Sequence, residues 1–209
     1  MPRQILKNLP AGLHVTDLDG GNPRSLIPRD PPPIITLIAE TGNAVKGYNL
    51  DAIPDNWQAN NNNLLTVQIG NRVTSIGSYG FAYCSALTSV TIPDSIGGLG
   101  SKSFYTCTAL TSVTIPDSVT SIGMYGFAHN AALTSVTIGK NLTSHALTFA
   151  FCSSLNTVYA HCPREALVGV NAFIFCATPF TIHARASDDS WTAGADTLDG
   201  VDVTVVKDL

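Results

Sequence analysis

One phrase recurs along the chain at a nearly constant interval. Ala86-Leu-Thr-Ser-Val-Thr-Ile-Pro-Asp-Ser95 returns as Ala109-Leu-Thr-Ser-Val-Thr-Ile-Pro-Asp-Ser118, and again as Ala132-Leu-Thr-Ser-Val-Thr-Ile-Gly-Lys-Asn141. The leucines Leu64, Leu87, Leu110, Leu133 and Leu155 step by 23, 23, 23 and 22 residues. A second block, Phe-x-x-Cys, keeps the same register at Phe81/Cys84, Phe104/Cys107, Phe149/Cys152 and Phe173/Cys176, and Phe127 is followed by Asn130 in the Cys place. A third, Val-Thr-Ser-Ile, stands at Val73–Ile76 and Val119–Ile122, with Ile96–Leu99 as a degenerate copy. A unit this short cannot bury its own apolar face, so successive units must stack into a solenoid.

The spacing assigns an inside and an outside. Residues two apart on a strand point the same way. Val67, Val90, Val113, Val136 and Val158 therefore form one inward column, and Ile69, Ile92, Ile115 and Ile138 another. The Phe and Cys columns are expected on the opposite wall of the core. Pro93 and Pro116 lack the ladder donor and close the strand. Gly77, Gly100 and Gly123 are expected at corners. Five cysteines, four of them in one column, do not read as a disulfide framework; buried thiols acting as small apolar groups fit better.

The pattern Leu-Thr-Ser-Val-Thr-Ile-Pro-Asp-Ser-Val-Thr-Ser-Ile-Gly, followed by Phe-x-x-Cys, closely resembles the BspA-type (Treponema pallidum type) leucine-rich repeat. The resemblance covers residues 64–184 in about five units of 22–24 residues. It implies a mostly β, α/β repeat fold: a right-handed solenoid with a parallel sheet on its concave face, short helices or turns opposite, and a cap at each end. It also implies a surface-exposed protein that binds host or neighbouring-cell proteins, although the repeat occurs in phage proteins too.

Three regions follow. Residues 1–63 form a Pro-rich N-terminal arm and cap, holding eight of the twelve prolines, one strand candidate at Ile34–Ile38, and Trp57 to cover the first layer. Within it, residues 45–63 are expected to cap and residues 1–40 to extend. Residues 64–184 form the solenoid. Residues 185–209 form a C-terminal cap, with a short helix opening at Asp188-Asp-Ser-Trp191 and a strand at Val201–Val205.

Chemistry is sparse. The net charge is −4, and between Leu64 and Cys162 only Arg72, Asp94, Lys102, Asp117 and Lys140 carry charge. Phosphate-backbone binding needs clustered Lys and Arg, so nucleic acid is not expected. No apolar run reaches the roughly 20 residues of a membrane span. Residues 1–10 lack the apolar core of a secretory signal, so three readings stay open: the cell surface, if a signal has been removed, retention inside a cell, or another way out such as release in a virion. The histidines His14, His129, His145, His161 and His183 show no zinc-site spacing, Asp17-Leu-Asp19-Gly20 lacks the later positions of a calcium loop, and no phosphate loop occurs. No cofactor, metal or catalytic residue is assigned. His161-Cys162 leaves a hydrolase as a distant alternative.

The expected function is non-catalytic recognition or adhesion through the concave face. Its outward columns are Gln68, Thr91, Thr114, Thr137 and Tyr159, then Ser89, Ser112, Ser135 and Thr157. Variation appears at Tyr159 and His183, which are the candidates for a binding hot spot. The partner is expected to be a protein, with a glycan as a further possibility. The alternative is a structural or attachment protein of a virion, anchored by residues 1–63.

Overall fold

The computed structural model describes residues 35–39, 44–48, 52–143, 146–168 and 170–208. Leu-Thr-Ser-Val-Thr-Ile forms the main strand of each turn: β3 (Leu64–Ile69), β5 (Ser89–Thr91), β7 (Ser112–Ile115), β9 (Ser135–Ile138), β10 (Thr157–Ala160) and β11 (Phe180–Ala184). β3–β5 and β7–β9–β10–β11 pair in parallel; the ladder is interrupted between β5 and β7, which remain neighbours. Register follows the repeat, with Val113 on Val136, Val136 on Val158 and Val158 on Ile182. All of these are buried, as are Ile115, Ile138, Ala160 and Ala184 in the second column.

The third repeat block makes a second, smaller parallel sheet. β4 (Ser75–Ile76), β6 (Gly98–Leu99) and β8 (Ser121–Ile122) pair in that order. Each turn then crosses the third side in two left-handed backbone positions. One set is Asn56, Tyr79, Lys102, Tyr125, Leu147 and Asn171; the other is Asn60, Tyr83, Thr106, His129, Phe151 and Phe175. Left-handed backbone costs an ordinary L-residue about 1–2 kcal/mol. It recurs because these kinks aim backbone N–H groups at the next turn: Tyr79 N donates to Ser101 O (2.9 Å), Phe81 N to Ser103 O (2.8 Å) and Tyr83 N to Tyr105 O (2.7 Å).

Among the described residues one further turn precedes the units expected over 64–184, making six. The first, around Ile53 and Trp57, pairs through an Ile53–Ile76 bridge. It escapes the sequence pattern because Gln58 and Asn61 stand where later turns have Phe and Cys. Behind the strands, Phe81, Phe104, Phe127, Phe149 and Phe173 form one near-parallel stack at centroid spacings of 5.2, 5.0, 5.7 and 5.6 Å. Trp57 closes its first end edge-on at 5.7 Å and Phe180 its last at 5.1 Å.

The Cys column does more than fill space. Cys107, Cys152 and Cys176 Sγ donate to the carbonyls of Phe81 (3.2 Å), Phe127 (3.3 Å) and Phe149 (3.1 Å) in the preceding turn, and Cys84 does the same to Gln58 (3.2 Å). Asn130 holds the column because its Nδ2 makes the equivalent bond to Phe104 O (3.1 Å). Burial pushes the thiols of Cys84, Cys152 and Cys162 up to about 12, Cys176 up to about 11, and Cys107 well above the ordinary 9.0. The thiolate is the reactive form. Iodoacetamide at neutral pH should therefore leave all five unmodified by mass spectrometry, with half-buried Cys176 the first to react as pH rises. Above pH 9.0 an unfolded chain releases thiol protons that the folded chain keeps, so stability falls as pH climbs towards these raised values.

The ends differ in part from expectation. β1 (Ile35–Ala39) pairs antiparallel with β3 on one side and with β2 (Ala44–Tyr48) on the other, covering an edge that would otherwise lie open. The arm was expected over residues 1–40; its residues 35–39 instead pair with the main sheet, and residues 1–34 and 40 lie outside the described residues. At the other end no helix opens at Asp188. Its Oδ1 accepts from Ser190 N (2.9 Å) and Oγ (2.7 Å), a local turn that competes with helix formation. Trp191 is buried beneath the turn and donates from Nε1 to Cys162 O (3.1 Å). β13 (Val201–Lys207) extends the main sheet in parallel on β11, and β12 (Gly194–Leu198) folds back on it through Asp199-Gly200, both at positive φ. Arg164, in a short 3-10 turn (Arg164–Ala166), grips the Asp196 carboxylate on β12 at 2.8 and 3.1 Å.

Candidate functional site

The outer face of the main sheet carries the residues expected there. Ser112, Ser135, Thr157 and Thr181 are register neighbours, and so are Thr114, Thr137, Tyr159 and His183; Thr66 meets Ser89, and Gln68 meets Thr91. Gln68, Ser89, Thr91, Ser112 and Thr114 are exposed, while Ser135, Thr137, Thr157, Tyr159 and His183 are half-buried. The neighbouring Thr88 and Thr134 are already engaged: their hydroxyls donate to Leu65 O and Thr111 O of the preceding turn, both at 3.0 Å. That column holds turns together.

Tyr159 and His183 break the uniformity of the face. Their rings stack at 4.9 Å and 25°. His183 Nδ1 lies 2.8 Å from one Asp208 carboxylate oxygen and 3.0 Å from the other. The ring donates from Nδ1 to this carboxylate, which fixes its orientation. Asp208 was not foreseen, since it reaches this place only through the register of β13. Stacking and the carboxylate together fix both rings, giving a polar aromatic spot on an uncharged hydroxyl field. His145 and His14 lie outside the described residues.

The pair His161-Cys162 is not assembled for nucleophilic chemistry. Cys162 is buried and its thiol is held protonated by desolvation. Among the described residues no group of three or more His, Cys, Asp and Glu side chains is placed to hold a metal. Nor is any helix among them long and apolar enough to cross a membrane.

A second feature went unread in the sequence. On the third side, ring contacts run from turn to turn: Tyr83 to Tyr105 at 5.4 Å, Tyr105 to His129 at 5.1 Å, His129 to Phe151 at 4.4 Å and Phe151 to Phe175 at 4.7 Å. Lys102 Nζ sits over the rings of Tyr79, Tyr105 and Tyr125 at 5.4, 5.2 and 5.7 Å. Its pKa is raised, first by a hydrogen bond with Tyr79. The ridge is half open to solvent, with Phe175 64%, Met124 51%, and Tyr83 and Phe151 each 39% exposed. A period of about 23 residues in Tyr, His and Phe was the available signal, masked by the more uniform Phe-x-x-Cys beside it.

A solenoid of six short turns with two parallel sheets and almost no helix defines a leucine-rich-repeat scaffold. The BspA type leucine rich repeat region matches residues 51–178 in six copies, and the chain belongs to this family. Among solved structures it is similar to the Treponema pallidum leucine-rich repeat protein, at 18% identity and TM-score 0.52 over 68% of this chain and 69% of that one. It is also similar to a leucine-rich cell surface protein of Faecalibacterium prausnitzii, at 25% identity and TM-score 0.52 over 80% of this chain and 49% of that one. The pneumococcal vaccine antigen PcpA matches at 18% identity and TM-score 0.53 over 76% of this chain and 42% of that one. The chain thus spans less than half the length of the latter two. A search of curated proteins returned no match.

Proposed function

We propose that the chain is a non-catalytic, surface-displayed protein-binding module that engages its partner through the outer face of the main sheet, with Tyr159 and His183 at the centre of contact. The observation that carries this is the Tyr159–His183–Asp208 arrangement, among the described residues the one stacked aromatic pair on an otherwise repetitive hydroxyl face. Tyr supplies large contact area at low entropic cost, and hot spots gather where a rigid side chain can be fully desolvated. Family membership supports a recognition role, and the likeness to a cell surface protein supports display outside the cell. The virion reading has no such support.

The test is titration of the fluorescently labelled chain on intact cultured epithelial and bacterial cells. Saturable binding is expected, lost after surface proteolysis and kept after glycosidase treatment. Tyr159→Ser should weaken it by about 2 kcal/mol, the lower bound of a hot spot, or roughly thirtyfold. Binding that glycosidase removes would make the ligand a glycan, and an unchanged Tyr159→Ser titration would move the site off this face.

A further inference from the structure

The aromatic ridge on the third side is not explained by the needs of the fold. Left-handed backbone favours Gly and, after it, Asn. The first turn uses Asn56 and Asn60 at these positions, and the last uses Asn171. Of the eight such positions in the turns between, five hold rings, Tyr79, Tyr83, Tyr125, His129 and Phe151, and the others hold Lys102, Thr106 and Leu147; Phe175 ends the row. Each ring therefore sits where a smaller residue would be less strained, and several stand in solvent. Strain and exposed apolar surface kept at the same positions point to a use outside the chain.

We infer that this ridge is a docking surface for a second, separate protein partner, one presenting apolar side chains beside a carboxylate. Its composition is that of an interface core: aromatics and Met, with charge depleted. A glycan fits less well, because sugars stack on open ring faces. Here Phe151 lies between His129 and Phe175, at 13° and 24° between planes, so both its faces and one face of each neighbour are covered, and Lys102 sits over one face each of Tyr79, Tyr105 and Tyr125. What the ridge offers is a corrugated row of edges and hydroxyls that apolar side chains can interdigitate with. Lys102 supplies the charge complementarity. It is the only formally charged residue of the ridge, and among the described residues no carboxylate pairs with it. Pre-held by three rings, its ammonium is a fixed donor for an incoming Asp or Glu.

The experiment selects a displayed library of random dodecapeptides on the immobilised full chain and measures the enriched peptides against Phe175→Asn and Lys102→Asn. Both substitutions suit left-handed backbone, so neither should lower the melting temperature. Enriched peptides should place aromatic or aliphatic residues beside Asp or Glu and lose at least about tenfold in affinity for each variant. Replacing the peptide carboxylate by its amide should weaken binding to the parent chain and not to Lys102→Asn. Tyr159→Ser should leave these peptides unaffected, which separates this surface from the sheet face. The assignment fails if Phe175→Asn melts below the parent, since the ring is then structural. It fails if the enriched peptides bind both ridge variants unchanged, or if no peptide is enriched. It also fails if sedimentation shows a dimer that Phe175→Asn dissolves, because the occupant is then a second copy.

Discussion

Phe104→Ala should cost the folded chain about 3–5 kcal/mol, the range for truncating a fully buried ring. Phe104 is wholly inaccessible and lies between Phe81 at 5.2 Å and Phe127 at 5.0 Å, nearly parallel to both. Its loss removes two ring contacts and leaves a cavity whose walls are held by other turns. The neighbouring backbone is fixed by Cys107 Sγ on Phe81 O and by Asn130 Nδ2 on Phe104 O itself, so collapse into the void is resisted. In a solenoid the damage falls on the interfaces with the adjacent turns, and a central layer has two of them. Urea unfolding followed by circular dichroism measures it, with Thr114→Ala as the comparison. Thr114 is exposed on the main sheet, and its truncation should fall within about 0.5 kcal/mol of the parent. Equal small losses from both would overturn the inside–outside assignment.

That assignment was legible in the sequence because the repeat marks it redundantly. Val67, Val90, Val113, Val136 and Val158 fall at one phase of every unit, and a slip by one residue would turn the whole column to solvent. Tyr159 and His183 were legible as the break in the outward columns, while their contact follows from the register of β10 on β11. Three things were not. The first turn lacks Phe and Cys, so Ile53 and Trp57 are recognisable as a solenoid layer only once their bridge to the next turn is seen. The cap was misjudged at Asp188, where a side-chain turn won over a helix start, although Asp199-Gly200 before Val201 is a hairpin signal in plain view. The aromatic ridge was hidden because local propensity argues against it: Tyr and Phe at left-handed positions are what a reader of propensities discards. The site that departs most from local preference is the one the repeat pattern could not announce.

Gly100→Ala should destabilise the chain by about 3 kcal/mol, the upper part of the range for inserted atoms with no room. The reason is space alone, because Gly100 does not have positive φ. A Cβ there would lie 2.5 Å from the carbonyl carbon of Gly77 and 2.8 Å from Ser78 Cα. Those are backbone atoms of the preceding turn, so no side chain can swing aside. Relief requires the two turns to part, and that stretches the Gly100 N to Ile76 O bond, now 2.7 Å, and the Tyr79 N to Ser101 O bond, now 2.9 Å. The same displacement would pull Phe104 away from Phe81, so the corner and the ring stack fail together. Gly97→Ala is the internal control. A Cβ at Gly97 meets nothing within 4 Å, and the only effect left is a less flexible unfolded chain, which stabilises by up to about 1 kcal/mol. Two identical substitutions three residues apart should therefore shift the thermal midpoint in opposite directions. If Gly100→Ala melts with Gly97→Ala, the turns are not in backbone contact at this corner, and the close stacking that sets the pitch of the solenoid must lie elsewhere.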